Sequence, residues 1–252
     1  MINGVSINGV RKECAVMNEL ASEQGIEGLD NLLARVTLYD LSQPLYSGSP
    51  GWALYPPVGL EPFCEIQTDG YKAERLELIT HSGTHLDVPS HFIADGKRLE
   101  EVPVGEFQGP AAVLDLRFLQ PSQAVGAAEL KPFRERIRQG DIVVLCTGWG
   151  DKRSHDSLFM YEWPYLTEEG AQWLVERGAR AVAIDALSVG GWPELTRRPP
   201  HVTLLSAGCW ILEDIRCPPE VVQAGRCHLF AFPVLLQGCG GSLVRAVAAV
   251  AK

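Results

Sequence analysis

Four ionisable side chains stand close together in residues 79–92, ITHSGTHLDVPSHF. Three of the six histidines of the 252-residue chain and one aspartate fall within this segment. An extended backbone places alternate residues on one face. All four residues have odd numbers, so the pattern predicts a strand whose polar face converges on one point. Pro89 is expected to end or bend this strand and to bring the last histidine around its rim. A helix would turn the later two away from the first two. The four residues are His81, His85, Asp87 and His91.

Two imidazoles and one carboxylate on a common face form a ligand set for a divalent metal. A catalytic zinc typically has three protein ligands and keeps one position open for water. Nitrogen and oxygen donors also suit manganese, nickel or iron. The spacing therefore indicates His81, His85 and Asp87 as candidate ligands without singling out the metal. A polar strand with solvated histidines is the alternative, which the crowding of ionisable groups on one face disfavours.

A further histidine and a glutamate are candidates for a second metal position. Residues 199–208 predict a helix that starts with two prolines and His201. Residues 209–212 predict a short strand that ends in Glu213. Seven helical residues rise about 10 Å, and four strand steps return about 13 Å, so Glu213 is expected level with His201. The pair would suffice for a second metal bridged by Asp87 or Glu213, although such a pair alone is unspecific.

Composition and charge restrict the class of protein. Hydrophobic residues make up 46% and charged residues 21%, as in a soluble globular protein. The net charge of −9 argues against a nucleic-acid partner. Seven cysteines without a CxxC pair predict reduced, buried thiols. The start of the chain does not resemble a secretory signal. The apolar runs of the sequence are too short to span a bilayer. A cytoplasmic location without a membrane partner is therefore expected.

Alternating apolar strands and helices predict an α/β architecture. Residues 13–35 have helix-like spacing, and residues 1–35 are expected to form an N-terminal helical extension ahead of one domain, residues 36–252. Residues 36–60 are rich in proline, glycine and aromatic residues and predict a surface loop carrying Tyr46, Trp52 and Tyr55. Strands are predicted at residues 75–80, 111–116, 142–147 and 181–185, and helices at residues 127–139 and 167–177, the latter capped by Thr167.

The segment HSGTHLDVPSHF resembles the HxGTHxDxPxHF signature of the cyclase family of metal-dependent hydrolases, which includes bacterial kynurenine formamidases and isatin hydrolases. The resemblance extends over roughly residues 37–252, through the segments DLSQPLYSG, CTGW, AIDALSV, HVTLLSAGCWILED and GSLVRAV. It implies a single α/β domain with a mixed, curled, barrel-like β-sheet flanked by helices. It also implies a homodimer or homotetramer. The tail GCGGSL departs from the family's GADGSP pattern.

The resemblance also implies roles for individual residues. The implied reaction is hydrolysis of a carbon–nitrogen amide bond by metal-activated water, with one or two ions of zinc or manganese. By this resemblance, His81, His85 and Asp87 bind the first metal, His91 donates and accepts protons, and His201 and Glu213 complete a two-metal site.

The implied partner is a small-molecule substrate, either an arylformamide such as N-formylkynurenine or a cyclic amide such as isatin. Trp149, Trp52 and Tyr46 are expected to stack on an aromatic substrate, with core packing as the alternative for each. Two other functions remain open at this point. One is a cyclase, lactone hydrolase or dehydratase that uses the same metal site. The other is a non-catalytic, metal-dependent carboxylate-binding protein.

Overall fold

The computed structural model describes residues 28 and 30–252. Their largest element is a mixed sheet of nine strands. The strands in chain order are β1 (Val36–Asp40), β2 (Gly59–Cys64), β3 (Ala73–Glu77), β4 (His85–Asp87), β5 (Gln108–Asp115), β6 (Ala124–Val125), β7 (Ile142–Cys146), β8 (Tyr165–Leu166), β9 (Ala181–Ile184), β10 (Trp210–Glu213), β11 (Arg226–Phe230), β12 (Gly241–Leu243) and β13 (Val247–Ala251). The helices are α1 (Ile66–Asp69), α2 (Ala127–Leu130), α3 (Ser157–Tyr161), α4 (Glu168–Glu176), α5 (Glu194–Ser206) and α6 (Pro219–Ala224).

The large sheet has the order β1-β13-β11-β5-β7-β9-β10-β4-β12 and curls into a half-barrel. Its middle strands β5, β7, β9 and β10 run parallel, and the strands on both sides of them are antiparallel. Two small sheets stand apart, β2 with β3 and β6 with β8. The predicted α/β domain with a mixed, curled sheet is confirmed.

The middle strands are apolar on both faces because both faces are covered. In β7, Val143 and Leu145 belong to the apolar cluster that contains side chains of α4 and α5. The alternate residues Ile142 and Val144 belong to a second cluster on the other face, together with side chains of α6. These two clusters make the sheet a rigid platform for the residues at its strand ends.

Several predicted elements are present. The strands β3, β5, β7 and β9 fall on the predicted segments. The predicted helix at residues 167–177 is α4, and Gly170 donates its backbone N–H to the Thr167 hydroxyl at 3.0 Å.

Other predicted elements differ from the structure for local reasons. The helix predicted at residues 127–139 ends at Leu130, and a 3-10 turn containing Pro132 follows, since proline cannot donate a helical hydrogen bond. The predicted loop at residues 36–60 begins as strand β1, which pairs with β13. Helix α5 starts at Glu194, so the two prolines that were expected to open it lie inside it.

The N-terminal extension is described only at its end. Residues 30–33 are helical, whereas residues 1–27 and 29 of the predicted extension lie outside the described residues. Within the described part of the chain, none of the helices has the length and apolar character needed to cross a bilayer.

Candidate metal centre

Strand β4 brings two of the candidate ligands to the middle of the site. It lies between β10 and β12 and pairs antiparallel with both. The register places His85 opposite Glu213 of β10 and Asp87 opposite Gly241 of β12. Leu86 between them is fully buried in the core. Within this short strand, the two ionisable residues therefore share one face, as the alternation pattern predicts.

The strand begins later than predicted, at His85 instead of His81, and it ends before Pro89 as predicted. Only residues His85–Asp87 are extended, because Gly83 adopts a left-handed conformation (φ 66°) and Pro89 opens a 3-10 turn that ends at His91. His81 precedes the strand in a turn. The four side chains nevertheless meet, because both turns fold back over the face of β4.

A glycine pair before and at the start of β12 makes this close approach possible. A Cβ atom on Gly241 would lie 2.5 Å from His81 Cε1, and one on Gly240 would lie 2.9 Å from the backbone of His91. Any larger residue would push the two imidazoles away from Asp87. The tail that departs from the family pattern in sequence thus supports the site directly.

Asp87 is the centre of the cluster and is fully buried. Its Oδ1 accepts a hydrogen bond from His81 Nδ1 at 2.7 Å and lies 3.5 Å from His85 Nε2. Its Oδ2 has no hydrogen-bond partner among the described residues and lies 4.0 Å from His91 Nε2 and 3.9 Å from His201 Nε2. A buried carboxylate oxygen without a partner is costly, which indicates that a cation belongs beside it.

Backbone carbonyls fix the orientation of two imidazoles. His85 Nδ1 donates to the Gly83 carbonyl and His201 Nδ1 donates to the Arg197 carbonyl, both at 2.8 Å. Such bonds direct the Nε2 lone pair of each ring into the site. His201 Nε2 then lies 3.1 Å from Glu213 Oε1. Two lone pairs at this distance need a proton or a metal ion between them.

Burial and neighbouring charge set the protonation of the cluster. Burial alone would raise the pKa of Asp87, yet the imidazoles around it, His91 foremost, hold that pKa far below its usual range. Burial lowers the pKa of His91 to about 4, against the opposing effect of Asp87. Burial would also lower the pKa of His81 and of His201, but Asp87 and Glu213, respectively, raise both.

The donor atoms fit a divalent ion in type and in spacing. Two ligands that each lie ~2.1 Å from a tetrahedral ion are about 3.4 Å apart, and His85 Nε2 is 3.5 Å from both Asp87 Oδ1 and Glu213 Oε2. Two overlapping groups have all their ligand atoms within 4.8 Å of one another. They are His81, Asp87 and His91, and His85, Asp87 and Glu213.

A cavity of about 320 Å³ opens over this cluster. Trp52 lines it, as does Tyr55 from the same loop. Phe92 also lines it and stacks on His201 with ring centroids 4.6 Å apart. Arg197 of α5, which no sequence motif indicated, completes this wall.

Two of the three aromatic residues predicted to contact substrate do not line the cavity. Trp149 is 1% exposed, packs in the main apolar cluster and donates its indole N–H to the Phe159 carbonyl. Tyr46 is 47% exposed and lies outside the cavity. Their positions do not support a substrate contact, whereas Trp52 lines the cavity.

A buried ion pair ties the cavity loop to the sheet. The Arg153 guanidinium pairs with Asp214, the residue after the candidate ligand Glu213, and also donates to the Pro50 carbonyl at 2.6 Å. Arg153 and Asp214 side chains are 9% and 3% exposed. Pro50 precedes Trp52 in the loop, so this contact holds the aromatic wall over the metal centre.

Comparison with known proteins gives a consistent result. The family model described as "Putative cyclase" matches residues 39–190. The kynurenine formamidase of Bacillus cereus (strain ATCC 14579) is 30% identical over 210 residues, which are 82% of this chain and 95% of that protein.

Solved structures show the same fold. Isatin hydrolase A from Ralstonia solanacearum superposes with a TM-score of 0.79 at 22% identity, over 89% of this chain and 97% of that one. A structure described as a predicted metal-dependent hydrolase from Bacillus stearothermophilus gives a TM-score of 0.69 at 27% identity, over 85% and 98% of the two chains.

The ion pair beneath the loop yields a stability prediction. Arg153→Met leaves the Asp214 carboxylate buried without its partner, and we expect the free energy of unfolding to fall by about 3–5 kcal/mol. Denaturant unfolding followed by circular dichroism measures this change. Arg134→Met, at an arginine that is 65% exposed, is the matched control and should stay within about 0.5 kcal/mol. Equal stability of the two variants would contradict the role assigned to Arg153.

Proposed function

Because the chain belongs to the cyclase family, we propose that it is a metal-dependent hydrolase that cleaves carbon–nitrogen amide bonds. The observation that carries this proposal is the buried Asp87 carboxylate, whose Oδ2 lacks a partner among the described residues while four imidazoles surround it. The name of the curated relative, kynurenine formamidase, supports an amide substrate.

The proposed ligands fall into two sets that share Asp87. His81, His85 and Asp87 hold the first ion, and His201 and Glu213 complete a second position. Zinc or manganese fits this nitrogen and oxygen set, as one ion or two. A divalent ion bound here supplies Lewis acidity to water and to the amide carbonyl.

His91 is the proposed proton shuttle. Its side chain lies at the rim, 22% exposed, with Nε2 4.0 Å from Asp87 Oδ2. Its ring lines the cavity, and burial lowers its pKa, so the neutral imidazole is the proposed acceptor for the proton of the attacking water. The water oxygen bonds to the carbonyl carbon, the carbon–nitrogen bond breaks, and His91 returns the proton to the departing amine.

The cavity walls favour an aromatic amide. Trp52 and Phe92 offer ring faces beside the histidines, and the volume suits a single ring with small substituents. An arylformamide such as N-formylkynurenine is therefore our proposed substrate, with a cyclic amide such as isatin as the alternative.

Removal of the central carboxylate tests the metal. We expect wild-type protein, purified without chelator, to contain zinc or manganese by elemental analysis and to hydrolyse N-formylkynurenine or formanilide. Asp87→Asn should lose the metal and lower kcat/KM by at least about a hundredfold, because it removes the shared ligand. Asp115→Asn, at a surface carboxylate paired with Arg117, is the control and should change neither. Metal-free protein with chelator-insensitive turnover would contradict the proposal.

Replacement of the proposed proton shuttle should affect turnover but not metal content. His91→Gln should keep the wild-type metal content and lower kcat by roughly 10²–10⁴-fold, because proton transfer is lost while all five proposed ligands remain. His155→Gln, at an exposed histidine outside the cavity, is the matched control and should retain full rate. Full activity of the His91 variant on every substrate that the wild type cleaves would exclude this role.

We also propose a homodimer or homotetramer in the cytoplasm. The hairpin of β2 and β3 with the intervening helix α1 exposes five large apolar side chains, Leu60, Phe63, Ile66, Tyr71 and Leu76. Exposed apolar groups of this kind mark protein interfaces. The reduced cysteine pattern of the sequence supports the location.

Light scattering tests the assembly. The wild type should have at least twice the 27.6 kDa mass of one chain, and Phe63→Glu on the hairpin should lower the mass toward that of the monomer. Leu158→Glu, at an apolar residue on α3 that is 43% exposed, is the control and should not change it. A wild-type mass of one chain would refute the oligomer.

A further inference from the structure

Arg197 places a permanent positive charge in the wall of the cavity. It lies on α5 one turn before His201, and its backbone carbonyl accepts the hydrogen bond that orients the His201 ring. Its side chain is 24% exposed and lines the same cavity as the histidines and Glu213. Substrate bound over the metal centre therefore meets this guanidinium.

The guanidinium is held at the cavity by its surroundings. Its Cζ lies 5.0 Å from the ring centroid of Trp52, and Trp52 in turn packs on Trp192 at 4.7 Å. A Cβ atom on Gly190 would lie 2.5 Å from the Arg197 backbone, so the segment before Trp192 presses directly on this turn of α5. The side chain is thus positioned before substrate arrives, which reduces the entropy cost of binding.

The guanidinium has donor capacity left for a ligand. One terminal nitrogen pairs with Glu194, which is 58% exposed. The buried Nε has no hydrogen-bond partner among the described residues. A guanidinium carries five N–H donors in a planar fork that matches a carboxylate.

We propose that Arg197 binds a carboxylate of the substrate and makes the enzyme prefer aromatic amides that carry one over neutral amides. This inference rests on the proposed amide hydrolysis. In this arrangement the scissile amide lies at the histidines, the ring lies against Trp52 and Phe92, and the carboxylate meets the guanidinium.

Three matched pairs of compounds test the preference. They are 2-, 3- and 4-formamidobenzoate and their methyl esters, which share the ring and the scissile formamide and differ in charge. We expect the wild type to favour the acid over the ester of at least one isomer by roughly ten- to a hundredfold in kcat/KM, the size of a hydrogen bond to a charged group. Arg197→Met should bring the acid-to-ester ratio of kcat/KM down to about one, because turnover of the acid falls further than turnover of the ester. Arg197→Lys should retain part of the preference.

Arg198→Met is the matched control, because it removes the same charge from the neighbouring, exposed residue. It should keep the acid preference. Calorimetry with the aminobenzoate product of the preferred isomer supplies a second readout, and Arg197→Met should weaken its binding about tenfold. If the wild type cleaves none of the six compounds, the proposed function fails for formanilides, and calorimetry with all three aminobenzoates still decides the role of Arg197.

Two results would overturn the inference while leaving the amide hydrolysis intact. One is an acid-to-ester ratio that is the same in the wild type and Arg197→Met for all three isomers. The other is an equal loss of the preference in Arg198→Met, which would assign the effect to the general charge of α5.

Discussion

A carboxylate can leave water only where positive charge or hydrogen bonds replace its hydration, and Asp87 is fully buried. Its Oδ1 has a hydrogen bond from His81, but its Oδ2 has none from the described residues. The rest of the site follows from this constraint. Imidazoles approach from four directions, backbone carbonyls orient two of them, and the resulting cage suits a small divalent cation better than it suits any neutral group.

The sheet makes this arrangement possible. Its buried parallel strands form a rigid centre, and β10 at their margin presents Glu213 directly beside His85 of β4. Helix α5 returns to the same place and contributes His201 together with Arg197. The proposed chemistry and the proposed selectivity for a carboxylate therefore come from adjacent turns of one helix. A change in the position of α5 would affect both properties at once.

Local sequence pattern predicted which ionisable side chains lie close together, because their spacing is itself the signal. The convergence of His81 and Asp87 and the pairing of His201 with Glu213 both appear in the structure. The predicted end of the strand at Pro89 is present, but its predicted start at His81 was wrong, since Gly83 adopts a left-handed conformation. Burial of Trp149 and exposure of Tyr46 depend on contacts far apart in sequence, and no short motif reports them. The same is true of Arg197, which lies on α5 ahead of the two prolines and lines the cavity.

The central claim is that Asp87 belongs to a metal centre. Diffraction from crystals of protein purified without chelator, recorded above and below the zinc and manganese absorption edges, tests it most directly. We expect an anomalous peak at one of these edges, within bonding distance of an Asp87 oxygen and of at least two of the surrounding imidazole nitrogens. A map without such a peak, in which the Asp87 carboxylate is satisfied by hydrogen bonds from histidines and water alone, would contradict it.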